Sequence, residues 1–504
     1  MSFGSIYFIL FFIGVVVINY ILPKKIRRIW LLIASIAFYL FSSVKGFLVL
    51  VSVILITYLV GLLLEKTKNI LKKKIFLGVS AFLVVMVLVV LKYLKFIILN
   101  LDKLSVFRGL EIILPLGISF FILQSIGYLI DVYRGNVPAE KNIINYALFI
   151  SFFPYIVSGP IERAKNMLPQ IKMIHSFNYD NFVSGMQKML WGYFLKLVVA
   201  ERAAILANTI FNDYTNYSGL AMIIGILAYT IQLYCDFAGY SLIAIGVGKA
   251  LGYDIMENFK QPYFALSIND FWKRWHISLT SWFREYLYIP LGGNRKGKFR
   301  KYLNIFIVFL ISGIWHGANW TFMIWGMMHG IYQILGDLTK NLRTKFVNFI
   351  GMKKECFSYR LVQRMATFTF VSVAWVFFRS ANFGQAIEVL YRAFAGFNIA
   401  ESFGASNTSF YSWIPSGLFL TTNGENWFLK LGLDAPDLII FLFGMFLVFI
   451  VDLLLYKKIS PTKWINNQNI WFRWIVYLGL IFFVLTFGIY GTGFDASSFI
   501  YANF

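Results

Sequence analysis

The sequence predicts an all-α polytopic membrane protein, with about eleven to thirteen membrane-embedded helices around a central cavity. Three observations predict it. Only 14% of residues are charged, against about a quarter in soluble domains, while 59% are hydrophobic and the mean hydropathy is +0.70. Apolar runs near the roughly 20 residues that cross a bilayer recur along the whole chain. The basic residues, which set the net charge at +23, cluster in the short gaps between those runs.

The elements follow in order. The run 5–22 lacks a small-residue cleavage site and reads as a retained helix. Runs 29–43, 47–64 and 75–92 come next, and 1–100 reads as a helical wall with almost no embedded polarity. Polarity enters in LPLGISFFILQSIGYLIDVYRG, where Pro115, Gly117 and Gly127 interrupt the helix and Gln124 and Asp131 appear. Next, SFFPYIVSGPIERAKNMLPQI carries Pro154, Gly159 and Pro160. Broken backbone at membrane depth is tolerated only where protein or water satisfies it. Shorter candidates lie at 109–130, 145–160, 183–200, 240–252, 303–316 and 319–338, beside a full-length run at 220–235. Around Asp236, the small residues Ala238, Gly239, Ser241, Gly246 and Gly248 allow close helix approach. Segment 268–290 mixes cations with indoles and suits helices in the interface or lining a funnel. Runs 365–378, 437–456 and 470–490 complete the set.

The charge pattern reads as topology, not as nucleic-acid binding. Short basic loops mark the cytoplasmic side, and they occur at 24–28, 66–74, 295–301, 340–354 and 457–458. This places both termini and the loop 382–436 outside. Cys235 and Cys356 are too few for a disulfide framework. No zinc spacing, internal repeat or linker is visible. The chain therefore reads as one unit, 1–504, divided into the wall 1–100, a catalytic core 109–338, and C-terminal helices with an exterior tail, 365–504.

Three of the four histidines, His276, His316 and His329, fall within 261–330. Titratable groups in apolar runs are costly and usually face a protein interior where they act. His316 lies 15 residues past the basic Lys301, about 22 Å along a helix and so inside the membrane core. Neutral imidazole is the side chain suited to accept a hydroxyl proton near pH 7. His329 reads as a packing or capping histidine and His175 as an incidental loop residue. Lys273, Arg274 and the 295–301 run would attract the phosphates of coenzyme A or of a carrier-protein arm.

The motifs that carry chemistry resemble those of the membrane-bound O-acyltransferase family. They are PLGISFFILQSIGYLIDVYRG (115–135), FFPYIVSGPIER (152–163), LYCDFAGYSLIAIGVGKALGY (233–253), ENFKQPYFALSINDFWKRWHISLTSWFREYLYIPLGGNR (257–295) and SGIWHGANWTFMIWGMMHG (312–330), with WVFFRS (375–380) and FIYANF (499–504). The branch they resemble is that of alginate and peptidoglycan O-acetylation, and the teichoic acid D-alanyl transfer protein is a nearby relative.

The resemblance implies an acyltransferase that moves an acyl group, acetyl being favoured, from a cytoplasmic thioester such as acetyl-CoA. The group would pass across the bacterial cell membrane towards a surface polysaccharide. An exterior SGNH-type esterase-fold partner would receive it, and no tightly bound cofactor or metal is implied. His316 and His276 are the implied functional histidines, and Trp275, Trp315 and Asp236 join Lys273 and Arg274 as substrate-binding candidates. FIYANF is similar to the tail of the small peptide accompanying the D-alanyl protein, which implies a covalent acyl relay at Tyr501. D-alanyl transfer is the alternative within the class. A lipid or glycan flippase without acyl chemistry is the alternative outside it, against which stands the absence of repeats.

Overall fold

Helix boundaries are written into the sequence by polar caps. Ser5, Ser43 and Asn69 accept hydrogen bonds from the first turns of Ile6–Ile21, Val44–Lys66 and Ile70–Leu88. Asn319 does the same for Trp320–Leu338, and Asp434 for Ala435–Tyr456. Each supplies an acceptor to amides that a helix start leaves unsatisfied. The computed structural model describes residues 3–41, 43–100, 115–157, 159–353, 355–394 and 431–490, and every regular element among them is helical.

Six of these helices are long and apolar enough to cross a membrane: Val44–Lys66, Ile70–Tyr93, Gly219–Ala250, Phe357–Arg379, Ala435–Tyr456 and Ile470–Phe487. Burial sorts them into layers. The window of Gly219–Ala250 is 67% buried, against 11% and 6% for Ala435–Tyr456 and Ile470–Phe487. The first is a central post and the last two lie on the outside, with Ile475, Phe482 and Trp471 exposed.

The post packs through its small residues, as the sequence predicts. A Cβ on Gly239 would stand 2.8 Å from the Gly192 carbonyl oxygen, and one on Gly246 would stand 2.5 Å from that of Gly185. The backbones of Gly219–Ala250 and Tyr179–Tyr193 therefore touch. The same device joins Gly297–His316 to Trp320–Leu338 as a hairpin: Cβ atoms on Gly313 and Gly326 would run into the Phe322 and Phe309 carbonyls.

The loops gather at two ends. At one, Arg27 donates to the His175 carbonyl (2.6 Å), Arg28 to Asn145 (3.2 Å) and the Ala139 amide to Glu65 (3.2 Å). There too Lys172 pairs with Glu140 at 2.6 Å and Arg134 donates to the Glu285 carbonyl at 3.2 Å. The basic turns 24–28 and 66–74 and the segment leading into 295–301 thus share an end. At the other, Arg379 donates to Asn208 and Asn212, Gln385 to the Phe211 carbonyl and Asn319 to the Ala381 carbonyl. The central post runs between them, and its Ala250 carbonyl accepts from Tyr20.

Two expectations change. Of the two placements read for segment 268–290, lying flat in an interface gives way to helices turned into the protein. The segment forms short helices, Ile268–Trp272 and Ile277–Phe283, whose Phe271, Trp272, Trp275, His276 and Trp282 are buried. His276 packs on Phe237 of the post at 4.7 Å, about 27 Å along that helix from its start at Gly219, and so at mid-depth, not at the basic end. The run 75–92 is no featureless wall either, because Lys92 and Tyr93 at its end turn inward.

Candidate functional site

The Gly297–His316 helix stops at His316, where Gly317 is fully extended. The chain turns over 317–319 and returns as Trp320–Leu338. His316 is only 3% exposed. Its ring sits 4.9 Å from Trp315, 4.9 Å and perpendicular to Trp325, and 5.2 Å from Phe378.

His276 reaches the same Trp315 indole. Its ring is 6.3 Å from Trp315, 6.3 Å from Phe120 and 4.7 Å from Phe237. The Trp315 indole is therefore a wall shared by two imidazoles. His329 continues the row, 5.1 Å beyond Trp325. Its Nδ1 accepts the Trp272 indole N–H at 3.2 Å, which puts its proton on Nε2. This fits the packing role read from the sequence, while His175, read as an incidental loop residue, lies tilted against Tyr253 at 4.4 Å and bonds the Gln170 carbonyl.

His276 sits on unusual backbone. Its φ of 43° and ψ of 54° are left-handed, a region that costs a non-glycine residue about 1–3 kcal/mol and persists only when neighbours enforce it. Asn258 enforces it. Its carbonyl accepts the Ile277 amide at 3.0 Å, its Oδ1 accepts the Ser278 hydroxyl at 2.6 Å, and its amide donates to Ser241 of the post. Arg163, buried beneath, donates to the Ser278 carbonyl and Ser281 hydroxyl. Glu162 fixes the loop before it by accepting from Asn166 and the Met256 amide.

Other candidates fall at various distances from this centre. Trp275 is buried among Phe259, Phe271 and Trp375, with Trp375 at 5.1 Å and itself stacked on Trp325 at 5.5 Å. It forms the floor of the aromatic row. Lys273 is exposed, and Arg274 pairs with Asp270 at 2.9 Å and stacks over Tyr456. Asp236 bonds Lys196 at 2.6 Å within a buried cluster that includes Glu201. Tyr501 lies outside the described residues.

The structure adds residues that sequence reasoning passed over: Lys92, Tyr93, Asn258, Arg163 and Lys196. Lys92 carried a readable signal, being a charge at the end of the apolar run 75–92. Its ammonium donates to the Trp315 carbonyl at 2.7 Å and to Ser119 at 3.2 Å, and lies 5.6 Å from the Trp315 ring centre. Among the described residues no cluster of three or more His, Cys, Asp or Glu side chains could hold a metal. The indole N–H groups of Trp315, Trp325 and Trp375, all buried, find no acceptor among the described residues. The centre is thus rich in donors and in imidazole.

With every regular element among its described residues helical, several spans and a buried histidine pair, this is a multi-pass membrane protein with the makings of an enzyme site. The chain belongs to the membrane-bound O-acyltransferase family, whose model matches residues 38–378, and it is an acyltransferase. It is 38% identical over 400 residues to a probable alginate O-acetylase of Pseudomonas putida, covering 77% of this chain and 79% of that one. It is 38% identical over 391 residues to the peptidoglycan O-acetyltransferase of Helicobacter pylori, covering 72% and 73%. A teichoic acid D-alanyltransferase of Bacillus subtilis is 30% identical over 242 residues, 46% of this chain and 61% of that one. The matched span contains His276, His316 and their surroundings and stops at Phe378, which packs on His316.

Proposed function

We propose that the chain is an O-acetyltransferase that passes acetyl from a cytoplasmic thioester, acetyl-CoA, to an exterior partner serving a cell-surface polysaccharide. The observation that carries this reading is His316: a buried imidazole at a broken helix end, packed with His276 around the same Trp315 indole. In the proposed step, neutral His316 takes the proton of an acceptor hydroxyl. The freed oxygen attacks the thioester carbonyl, the C–S bond breaks, and the thiolate leaves to be protonated by the imidazolium. The donor-rich surroundings suit the negative charge that develops on the carbonyl oxygen.

The end that holds the basic turns 24–28 and 295–301 is assigned to the cytoplasm by the positive-inside rule, and Lys273 and Arg274 there to the donor's phosphates. The opposite end, with 317–319 and 380–392, is assigned to an SGNH-type exterior partner. Tyr501 is assigned a covalent relay role, its phenol needing an adjacent base such as His316 to act at all. The core of the enzyme is assigned to 109–338. Both acetylating relatives match across more of the chain than the D-alanyltransferase does, which supports acetyl over D-alanyl.

The test is complementation of a strain lacking this protein, reading alkali-released acetate and alanine from the cell surface. His316→Ala is expected to cut acetate release by about 10²–10⁴-fold with normal amounts of protein in the membrane. Acetate at the wild-type level in that variant would end the base assignment, and restored alanine in place of acetate would move the donor to D-alanyl. In the same series, intact-protein mass spectrometry should find an acetyl adduct in the wild type that Tyr501→Phe lacks.

A further inference from the structure

A helix that ends inside a membrane protein has carbonyls to satisfy. The last four of Gly297–His316 have no partner within the helix itself. Gly317 donates to one, the Ile314 oxygen, at 3.2 Å. The rest of the answer comes from a different part of the chain, more than 220 residues away in sequence. Tyr93 donates its hydroxyl to the Ile314 oxygen at 2.5 Å, and Lys92 donates its ammonium to the Trp315 oxygen at 2.7 Å.

Three features make this more than incidental capping. Lys92 and Tyr93 occupy a single π-helical turn, Val89–Tyr93, at the end of Ile70–Leu88. Such turns are rare and are frequent at functional sites. A lysine in a spanning segment is costly unless paired, and this one is held by the Trp315 carbonyl, the Ser119 hydroxyl and the face of the Trp315 ring. A cation at the carbonyl end of a helix also faces the negative end of its dipole. The carbonyl it grips, finally, belongs to the residue immediately before His316, and the ring it covers is the wall shared by His316 and His276.

We propose that Lys92 and Tyr93 are positioning residues for the acyl-transfer centre: they clamp the two carbonyls ahead of His316 and so fix where its imidazole points. This rests on the reading of His316 as the base. Phe120, which follows Ser119, packs on both Trp315 and His276 at 5.8 and 6.3 Å, so the clamp also ties the Ile118–Tyr133 helix to the same indole. The cation's task is geometric, and its removal should show in turnover before it shows in donor affinity.

The test compares Lys92→Met, Lys92→Arg and Tyr93→Phe in the full-length protein, with acetyl-CoA as the donor probe. Thiol release is followed in membranes, with complementation alongside. A displacement of about 1 Å at a reacting group can cost about 10²-fold. Lys92→Met should therefore lose roughly 10–100-fold in kcat with the acetyl-CoA KM changed less than about threefold. Lys92→Arg, which keeps a donor, should recover most of the loss. Tyr93→Phe, which loses one hydroxyl, should fall between wild type and Lys92→Met.

In a His316→Ala background, Lys92→Met should add little further loss, because residues acting as a unit are not additive. A raised KM with unchanged kcat would make Lys92 a donor-binding group and overturn the proposal. So would an unchanged kcat in Lys92→Met and Tyr93→Phe while His316→Ala is inactive. An active His316→Ala enzyme would instead remove the base reading beneath it. If Lys92→Met does not accumulate, the Tyr93→Phe and Lys92→Arg pair decides on the same criteria.

Discussion

Lys196→Met should damage this protein far more than Asp236→Asn, and the reason is charge arithmetic in a buried place. Lys196 lies 2.6 Å from Glu201 and 2.6 Å from Asp236, and the three side chains are 4%, 8% and 3% exposed. One cation and two carboxylates sum to −1. Removing the cation leaves −2 in a setting with little water, whereas neutralising Asp236 leaves a balanced Lys196–Glu201 pair. The neighbouring Arg202 is committed elsewhere, to Asp437 at 2.7 Å and to the Val198 and Phe487 carbonyls. Breaking a buried pair by removing one partner typically costs about 3–5 kcal/mol, and losing one hydrogen-bonded group about 1–3 kcal/mol. Tenfold in the folded population corresponds to about 1.4 kcal/mol, so the two variants should differ clearly in yield and in thermal unfolding. Purified protein in detergent, followed by tryptophan fluorescence on heating, measures this. Equal unfolding temperatures for the two variants would refute the charge argument. The same pair of variants judges Asp236 as a substrate ligand: an Asp236→Asn protein as stable as wild type but without transfer would make it one.

Substitutions at two further sites, with one control, test how the centre is held. Gly326→Ala places a Cβ against the Phe309 carbonyl, which cannot rotate away; overpacking of this kind costs about 1–3 kcal/mol, and transfer should fall because His316 is at the tip of the hairpin, while Gly14→Ala, which meets nothing within 4 Å, should leave both stability and transfer alone. His276→Gly and His276→Ala remove the same imidazole but differ at the left-handed backbone; relief of about 1–3 kcal/mol of strain outweighs the roughly 0.4–1 kcal/mol that glycine costs through the unfolded chain. The glycine variant should then unfold at the higher temperature, and the reverse order would mean that His276 is not strained.

The helical class and the close packing of the post were legible because they follow from hydropathy and from small residues at helical spacing. Gly239 and Gly246 announce a close approach in any sequence, since no other residue permits one so near a carbonyl. The burial of His316 was legible as well, because an imidazole in an apolar run has few inexpensive explanations. The depth of His276 was not. Segment 268–290 reads as interfacial or funnel-lining because its cations and indoles favour those places, and only its tertiary partners set the depth: Asn258, in the loop after the post, holds Ile277 and Ser278 just past His276, and the post covers the ring. Lys92 was passed over for a similar reason. A lysine near a helix end ordinarily snorkels, and the π turn that redirects it inward leaves no mark in hydropathy.

Ending a helix inside the protein and stationing a histidine at its end are two sides of one solution. An imidazole within a continuous helix would point where the helical repeat sends it, usually towards a neighbouring helix face. Ending the helix at His316 frees the chain to turn at Gly317, and lets Phe378, Trp315 and Trp325 set the direction of the ring. The break exposes carbonyls, which in lipid would cost several kcal/mol each if left alone. Asn319 caps the returning helix and ties it to the Ala381 carbonyl, while Lys92 and Tyr93 meet the outgoing end. A break satisfied by side chains from elsewhere is rigid as well as affordable, and rigidity is what a proton acceptor needs when its partner must arrive within about 3 Å.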